Sequence, residues 1–369
     1  MANIPLFKSK LDKSDFKAIV ESLKTGWLTH GKDNLLFEKN FARYIGTKYA
    51  ISMNSCTSAL ECALKIIKKK GEVIIPSWTW VSTANAVINT GNIPVFADVD
   101  LNSRNITSLE IKKKINKKTV AVIVVHYSGL PCEMEEIVKT TKKHKIELIE
   151  DSAETLGATC NSKQVGSFGT GCFSFFPTKN ITTTEGGMLT TNNKKYYSEI
   201  KKLIAHGINK DPKKYFWHRV ADLPGHNFRL PNHLAALGNS QLKKLNKFNL
   251  ERRFIASKYN NFFSKLGTFF EVQKIPKNLT HSYQMYSVLV KKNRNSLLYY
   301  LKKNGVDASV HFDPPLHKQK YLKKYSQKLK NTEQLSKEIL TLPIYPDLSQ
   351  KNLSFILRKI NDWCKINSL

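Results

Sequence analysis

Five short apolar runs, separated by stretches of helical periodicity, occupy residues 49–153 and constrain the fold more than any other feature. YAISM (49–53) is followed by LECALKII, where Leu60, Ala63, Leu64 and Ile67 recur at helical spacing. EVIIPS (72–77) precedes the helix-like STANAVINTG, and IPVFADVD (93–100) precedes a Lys-rich helical stretch near 107–117. TVAVIVVHYSG (119–129) is a continuous apolar run of the kind buried on both faces of a sheet. EMEEIVKTTKKHK reads as a helix and IELIEDSA (146–153) as the last strand of the series. Such alternation predicts an α/β fold, a large domain with a mainly parallel sheet flanked by helices.

Beyond about residue 195 the texture becomes helical. HLAALGNSQLKKLNKFNLERRFIASKYNNFF predicts one long helix or two in series. YQMYSVLV, a helix near 294–305 and ASVHF then suggest a smaller C-terminal α/β domain, with domains at 1–250 and 251–369. A chain of 369 residues with 41% hydrophobic content can bury both cores. No apolar run reaches the roughly 18 residues of a membrane span. The start, MANIPLFKSK, lacks an apolar signal core, which points to the cytoplasm. The six cysteines are scattered without metal-ligand spacing, so neither a disulfide framework nor a metal site is expected.

The formal charge of +30 raises the question of a nucleic-acid partner. Of 59 basic residues only eight are arginine, and the lysines are spread through almost every predicted helix. Dispersed lysine on solvated faces is a compositional bias, and no RNP or zinc-finger motif accompanies it. No specific nucleic-acid partner is expected, although the charge would attract phosphorylated substrates.

In open parallel sheets ligands sit at the carboxyl ends of strands. The first strand runs through Asn54 into Ser55, Cys56, Thr57 and Ser58, where a helix begins with small hydroxyl residues. That suits a phosphate, and equally an ordinary N-cap. The last strand ends in Glu150-Asp151-Ser152-Ala153-Glu154; a buried acid there caps a helix or meets a cation such as a protonated pyridine nitrogen. Ser174-Phe175-Phe176-Pro177-Thr178-Lys179-Asn180 sets one lysine after an aromatic stretch, where apolar surroundings favour the neutral amine of imine chemistry; in so lysine-rich a chain, a surface loop reads as well. Trp78 and Trp80 lie just beyond the strand 72–76; one can stack on a planar ring, while both could be core aromatics. Together these features offer a phosphate cradle, a stacking ring, an acid and an amine, the set that pyridoxal 5′-phosphate requires.

At these residues the chain resembles the DegT/StrS family of sugar aminotransferases, which have the type I aminotransferase fold. The resemblance runs in order through GWLTHGKDNLLFEKNFARYIGTKYA, NSCTSALECAL, PSWTWVSTANAV, PVFADVD, VVHYSGLPCEMEEI, IEDSAETLGA, GSFGTGCFSFFPTKNITTTEGGML, GHNFRLPNHLAALGNSQL, VHFDPPLH and LPIYP. It implies a pyridoxal-phosphate enzyme with pyridoxamine 5′-phosphate as its intermediate form. Lys179 matches the lysine that holds the cofactor as a Schiff base, and Asp151 the acid that pairs with the pyridine nitrogen. Trp80 matches the aromatic covering the ring. Ser174 and the backbone around Thr57 and Ser58 match the phosphate site. Asn227, in GHNFR, matches an asparagine that reaches the phosphate of the partner subunit, which implies a homodimer with shared active sites. Arg229 in the same motif is a candidate for substrate binding, as are His311 and His317, although a structural role suits the histidines as well. Cys56 stands where the family usually has Gly, and His226 where it has Tyr. Glu154 replaces Gln or His near the cofactor's phenolic oxygen, so it must be protonated, turned away or paired.

The resemblance further implies transfer of an amino group from an amino acid, glutamate, to a nucleotide-linked keto sugar. The usual acceptor is a 4-keto-6-deoxy sugar for surface polysaccharide, and the alternative is a 3-keto sugar. Sugar 3-dehydratases on this fold carry histidine in place of the Schiff-base lysine, which Lys179 opposes. A regulatory or scaffold member would not need Lys179 and Asp151 intact. The choice of sugar falls to loops such as 209–224 and the mouth near Trp27.

Overall fold

The computed structural model describes residues 3–209, 215 and 217–367. Of the 209–224 loop, residues 210–214 and 216 lie outside the described residues.

The centre is a seven-stranded sheet of β1 (Tyr49–Met53), β2 (Glu72–Pro76), β3 (Ile93–Ala97), β4 (Thr119–Val125), β5 (Glu147–Asp151), β6 (Thr170–Ser174) and β7 (Gly187–Thr191). Their spatial order is β1-β7-β6-β5-β4-β2-β3. All pairings are parallel except those of β7, which runs antiparallel to both β1 and β6. The expected α/β architecture with a mainly parallel sheet is present. Every residue of β4 is buried, as its unbroken Val/Ile run requires of a strand covered on both faces. Helices Cys56–Lys65, Val81–Asn89 and Met134–His144 follow β1, β2 and β4.

Two local expectations needed correction. β4 stops at Val125 rather than continuing to 129. The N–H groups of Tyr127 and Ser128 are taken by Asn105 Oδ1 and Glu154 Oε2, both at 2.8 Å, which draws the backbone out of the ladder into a 3-10 turn. The Lys-rich helix covers only Ser108–Lys112, capped by Thr107, before the chain turns where Asn116 N–H meets Thr119 Oγ1. Strands β6 and β7 have no counterpart in the sequence reading. Their glycine-rich flanks look like turns, yet a Cβ on Gly171 would lie 2.4 Å from Thr190 Oγ1 and 2.5 Å from Gly166 O. Glycine is there for close packing rather than for turning.

The long apolar segment forms two helices in series, Asn232–Leu242 and Leu245–Phe263, and the second passes unbroken through residue 250. A second, antiparallel sheet comprises β8 (Phe270–Val272), β9 (Tyr286–Val290) and β10 (Ile339–Leu342). Val288, Leu340 and Leu342 pack with Leu297, Leu301, Ile356, Ile360 and Trp363 of helices Arg294–Lys303 and Gln350–Ile366 in a separate core, which Ile4 joins from the N-terminus. Of ASVHF, Ser309 alone makes a bridge, to Thr341. The chain then returns to the main core, where Leu316, Leu322 and Leu329 are buried. Among the described residues no helix is long and apolar enough to cross a membrane.

Candidate active site

The carboxyl ends of β1, β5 and β6 lie along one edge of the sheet, and the candidate residues follow from them. After β6 the chain loops back into β7. Phe175 is buried against Phe37 and Phe41, with ring centroids at 5.3 and 5.6 Å, and anchors the loop. Its N–H donates to Gly186 O, and its carbonyl accepts from Thr183 N–H. The lysine turn is then fastened from three directions. Ser9 Oγ donates to Pro177 O at 2.6 Å, Gln284 Nε2 to Thr178 O at 2.9 Å, and Asn180 Nδ2 to Asn249 Oδ1 at 2.7 Å. Lys179 Nζ thereby comes to 3.6 Å from Glu154 Oε1.

Asp151, the last residue of β5, is buried. Its Oδ2 accepts from Thr83 Oγ1 at 2.9 Å; its Oδ1 accepts from Ala153 N–H at 3.2 Å and faces Cys56 Sγ at 3.9 Å. Burial pushes the carboxyl up from its ordinary range, opposed by the Thr83 and Ala153 hydrogen bonds and then by Lys179 and His126. Burial likewise raises Glu154, against the nearby charge of Lys179 and the Ser128 N–H bond at 2.8 Å. Of the three dispositions open to Glu154, the structure shows a paired carboxylate.

At the end of β1, Ser55 caps helix Cys56–Lys65, its Oγ accepting from Ser58 N–H at 3.0 Å. Ser58 Oγ donates to Asn54 Oδ1 at 2.7 Å. Among the described residues the N–H groups of Cys56 and Thr57 have no protein acceptor, so a first-turn anion site stays open. Gly187 lets this turn approach the sheet, since a Cβ there would lie 2.3 Å from the carbonyl carbon of Ser55. Gly187 pairs in register with Ser174, which sets that hydroxyl beside the helix start. The Cys56 side chain points inward to Asp151, and burial raises its thiol well above the usual range.

The two tryptophans divide because both lie beyond the end of β2 at Pro76, where the two-residue period of a strand no longer applies. Trp78 is 1% exposed, while Trp80 is 60% exposed and caps helix Val81–Asn89, its ring 6.0 Å from Phe312. His311 precedes Phe312; its carbonyl accepts from Tyr127 Oη at 2.7 Å and its Nδ1 lies 3.0 Å from Thr341 Oγ1. Burial and then the charge of Lys179 push the His311 imidazole down to about 4. His317 lies elsewhere: it is buried, with Nδ1 2.6 Å from Ser77 Oγ and Nε2 3.4 Å from Glu333, and it ties the returning segment to the end of β2. Asn227 is exposed on a strip whose backbone is bonded to Leu203, Ile204 and Asn54. Arg229 Nη2 lies 3.4 Å from His206 Nε2 and lines a cavity of about 630 Å³ with Trp27, His30, Lys201 and Arg219. Neither Lys179 nor Asp151 lines that cavity.

Several supporting residues escaped the sequence reading. Glu150 is completely buried, and its carboxylate accepts from the N–H groups of Gly166, Phe168 and Gly169 at 2.7–2.8 Å. His126 Nε2 faces it at 3.4 Å. Thr83, Tyr127 and Gln284 are equally hard to find, since each acts through a partner distant in the chain. The position of Thr83, one turn after Trp80, is the only hint.

Comparisons with known proteins identify the family. The DegT/DnrJ/EryC1/StrS aminotransferase family profile matches residues 9–361. The chain is 36% identical to protein MJ1066 of Methanocaldococcus jannaschii, covering 97% of this chain and 96% of that one. It is 33% identical to the spore coat polysaccharide biosynthesis protein SpsC of Bacillus subtilis, covering 98% and 97%. Among solved structures it superposes on Helicobacter pylori PseC, an aminotransferase involved in the biosynthesis of pseudoaminic acid, with TM-score 0.92, 32% identity and 98% of each chain covered. The chain belongs to the DegT/DnrJ/EryC1/StrS aminotransferase family, whose enzymes are pyridoxal-phosphate-dependent sugar aminotransferases.

Proposed function

We propose that this protein moves an amino group from L-glutamate to the keto carbon of a nucleotide-linked deoxysugar, a 4-keto-6-deoxy sugar, in cytoplasmic amino-sugar synthesis for surface polysaccharide. The observation that carries the reading is a lysine amine and a buried carboxylate that, among the described residues, lacks an ion-pair partner, beside an open helix start at one sheet edge. The polysaccharide role of SpsC and the pseudoaminic acid role of PseC support the sugar and polysaccharide setting.

The residues fit pyridoxal phosphate. The open N–H groups of Cys56 and Thr57, with the hydroxyl of Ser174, suit a phosphate dianion. Among the described residues Asp151 has only neutral direct donors, so a protonated ring nitrogen would complete its surroundings. Trp80 offers an exposed indole to a ring face. When bound, the cofactor supplies an aldehyde for amino exchange and a ring that accepts electrons. Lys179 would hold the cofactor through its aldehyde, and its amine would serve as the base and then the acid that moves a proton from the donor's α-carbon. Asp151 would face the ring nitrogen and favour its protonated form. Glu154 holds Lys179 near the site and is itself held by Ser128 N–H.

Asn227 and Arg229 act across a homodimer in this reading, Asn227 at the phosphate of the partner subunit and Arg229 toward substrate. Arg229 lines a cavity that neither Lys179 nor Asp151 reaches, which supports it. So do the exposed Phe16, Val20 and Leu23, which share one face of helix Lys13–Lys24. His311, next to Lys179 in charge and kept neutral, is the better placed histidine for substrate, since both ring nitrogens of His317 face protein partners.

The test loads purified protein with pyridoxamine phosphate and offers a panel of nucleotide keto sugars. Return of the aldehyde absorbance with one 4-keto sugar is expected; response to a 3-keto sugar alone would move the amination site. Lys179→Ala should abolish both turnover and the visible band, and retained turnover would sink the assignment.

A further inference from the structure

Asp151 sits in an unusual electrostatic position. It is buried at the end of β5, yet among the described residues no Lys, Arg or His forms an ion pair with it. Lys179 pairs with Glu154 instead. The direct donors to Asp151 are a hydroxyl, one amide and a weak thiol. A buried carboxylate with so few donors depends heavily on each of them.

The hydroxyl belongs to Thr83, in the first turn of helix Val81–Asn89 and fully buried. A hydroxyl has one proton. Thr83 spends it on Asp151 Oδ2 at 2.9 Å, so its oxygen is left to accept. The buried Thr79 hydroxyl lies 3.1 Å away and must then be the donor. The two threonines flank Trp80, and Thr83 N–H also donates to Trp80 O at 3.2 Å. One short segment therefore orients both the acid and the exposed indole.

We propose that Thr83, polarised by Thr79, is a positioning residue that fixes the Asp151 side chain and favours its charged form, ready for a cationic ring partner. The inference rests on the function proposed above. The other groups around Asp151 are Lys179 beyond β6, His126 at the end of β4, Glu154 in the following turn, Cys56 on the facing helix and Cys172 on β6. None of them replaces the Thr83 hydrogen bond, which is the largest influence opposing burial.

The experiment compares Thr83→Val and Thr83→Ser in the cofactor-free and loaded protein. Burial raises the Asp151 carboxyl above its unfolded value, so its charged form is costlier in the folded protein than in the unfolded chain. The contribution of this group is therefore least favourable at high pH, and the cost fades as pH falls toward the unfolded carboxyl value near about 4. Removing the hydroxyl raises the folded value further. Cofactor-free Thr83→Val should melt below the native protein at about pH 8, with the gap closing toward about pH 5. A gap of constant size across that range would mean simple packing damage and overturn the proposal. In the loaded protein, Thr83→Val should weaken pyridoxal-phosphate binding about tenfold, and Thr83→Ser should restore it. Unchanged affinity in Thr83→Val, or no rescue by Thr83→Ser, would also overturn it. Thr79→Val should move both readouts the same way by less, and it carries the test if Thr83→Val fails to fold. If the native protein binds no pyridoxal phosphate, the proposed function falls, while the melting comparison still decides the role of Thr83.

Discussion

Glu150 and Asp151 are neighbours on one strand, and their side chains leave opposite faces of the sheet. Both are buried acids, yet their surroundings differ in kind. Glu150 takes three backbone N–H groups from residues 166–169 and faces His126. Every donor it needs comes from the fold, and it fixes the loop leading into β6. Asp151 receives one hydroxyl, one amide and a distant thiol, on the side where the sheet opens. A carboxylate whose needs are met by backbone serves structure. One left short of a cation serves a ligand.

The sharpest way to break this comparison is to neutralise each acid in turn. Asp151→Asn should leave folding nearly intact and lower turnover by about 100-fold or more, because a charge that acts on the reacting system is lost. Glu150→Ala should do the reverse, lowering stability by about 3–5 kcal/mol because one buried and two half-buried amides lose their acceptor. Denaturant melts and single-turnover rates on both variants would read this, and equal effects at the two positions would end the distinction.

His311 sharpens it from the other side of the site. Its imidazole is held down to about 4, so the unfolded chain takes up a proton before the folded one does. Its contribution is intact above the usual histidine range, and stability is lost as pH falls from about 6.5 to about 4. His311→Gln should flatten that slope by about 1–2 kcal/mol in melts across the same range. An unchanged slope would mean that burial does not hold this imidazole neutral.

The smallest effect is expected at Glu154. A glutamine can still accept the Ser128 N–H, and its loss of charge removes only the contact with Lys179. Glu154→Gln should keep turnover within a few-fold. Total loss of activity would show that the carboxylate is an acid or base in the reaction, and Glu154 would then join Asp151 rather than stand between the two kinds.

The runs that became β1 to β5 were legible because apolar periodicity is a local property. YAISM, EVIIP and the Val/Ile run of β4 carry it in consecutive residues. β6 and β7 were hidden because TGCFS and GMLTT are short and surrounded by glycine, whose packing purpose at Gly171 is visible only against Thr190. The clustering of Lys179, Asp151, Ser55 and Trp80 followed from the rule that parallel strands end on one edge. Thr83 was missed because its hydroxyl has meaning only through Asp151, 68 residues away.

The sequence by itself determined the fold class, the family, and the set of side chains gathered at the sheet edge. Order along the chain and hydrophobic period suffice for that. Only the tertiary structure decided which of two adjacent acids has no direct ion pair among the described residues, which tryptophan is exposed, and that Glu154 is paired with Lys179. The reason is that the partners of a buried polar group come from distant segments, and burial makes those partners, rather than the residue's own identity, set its charge and its use.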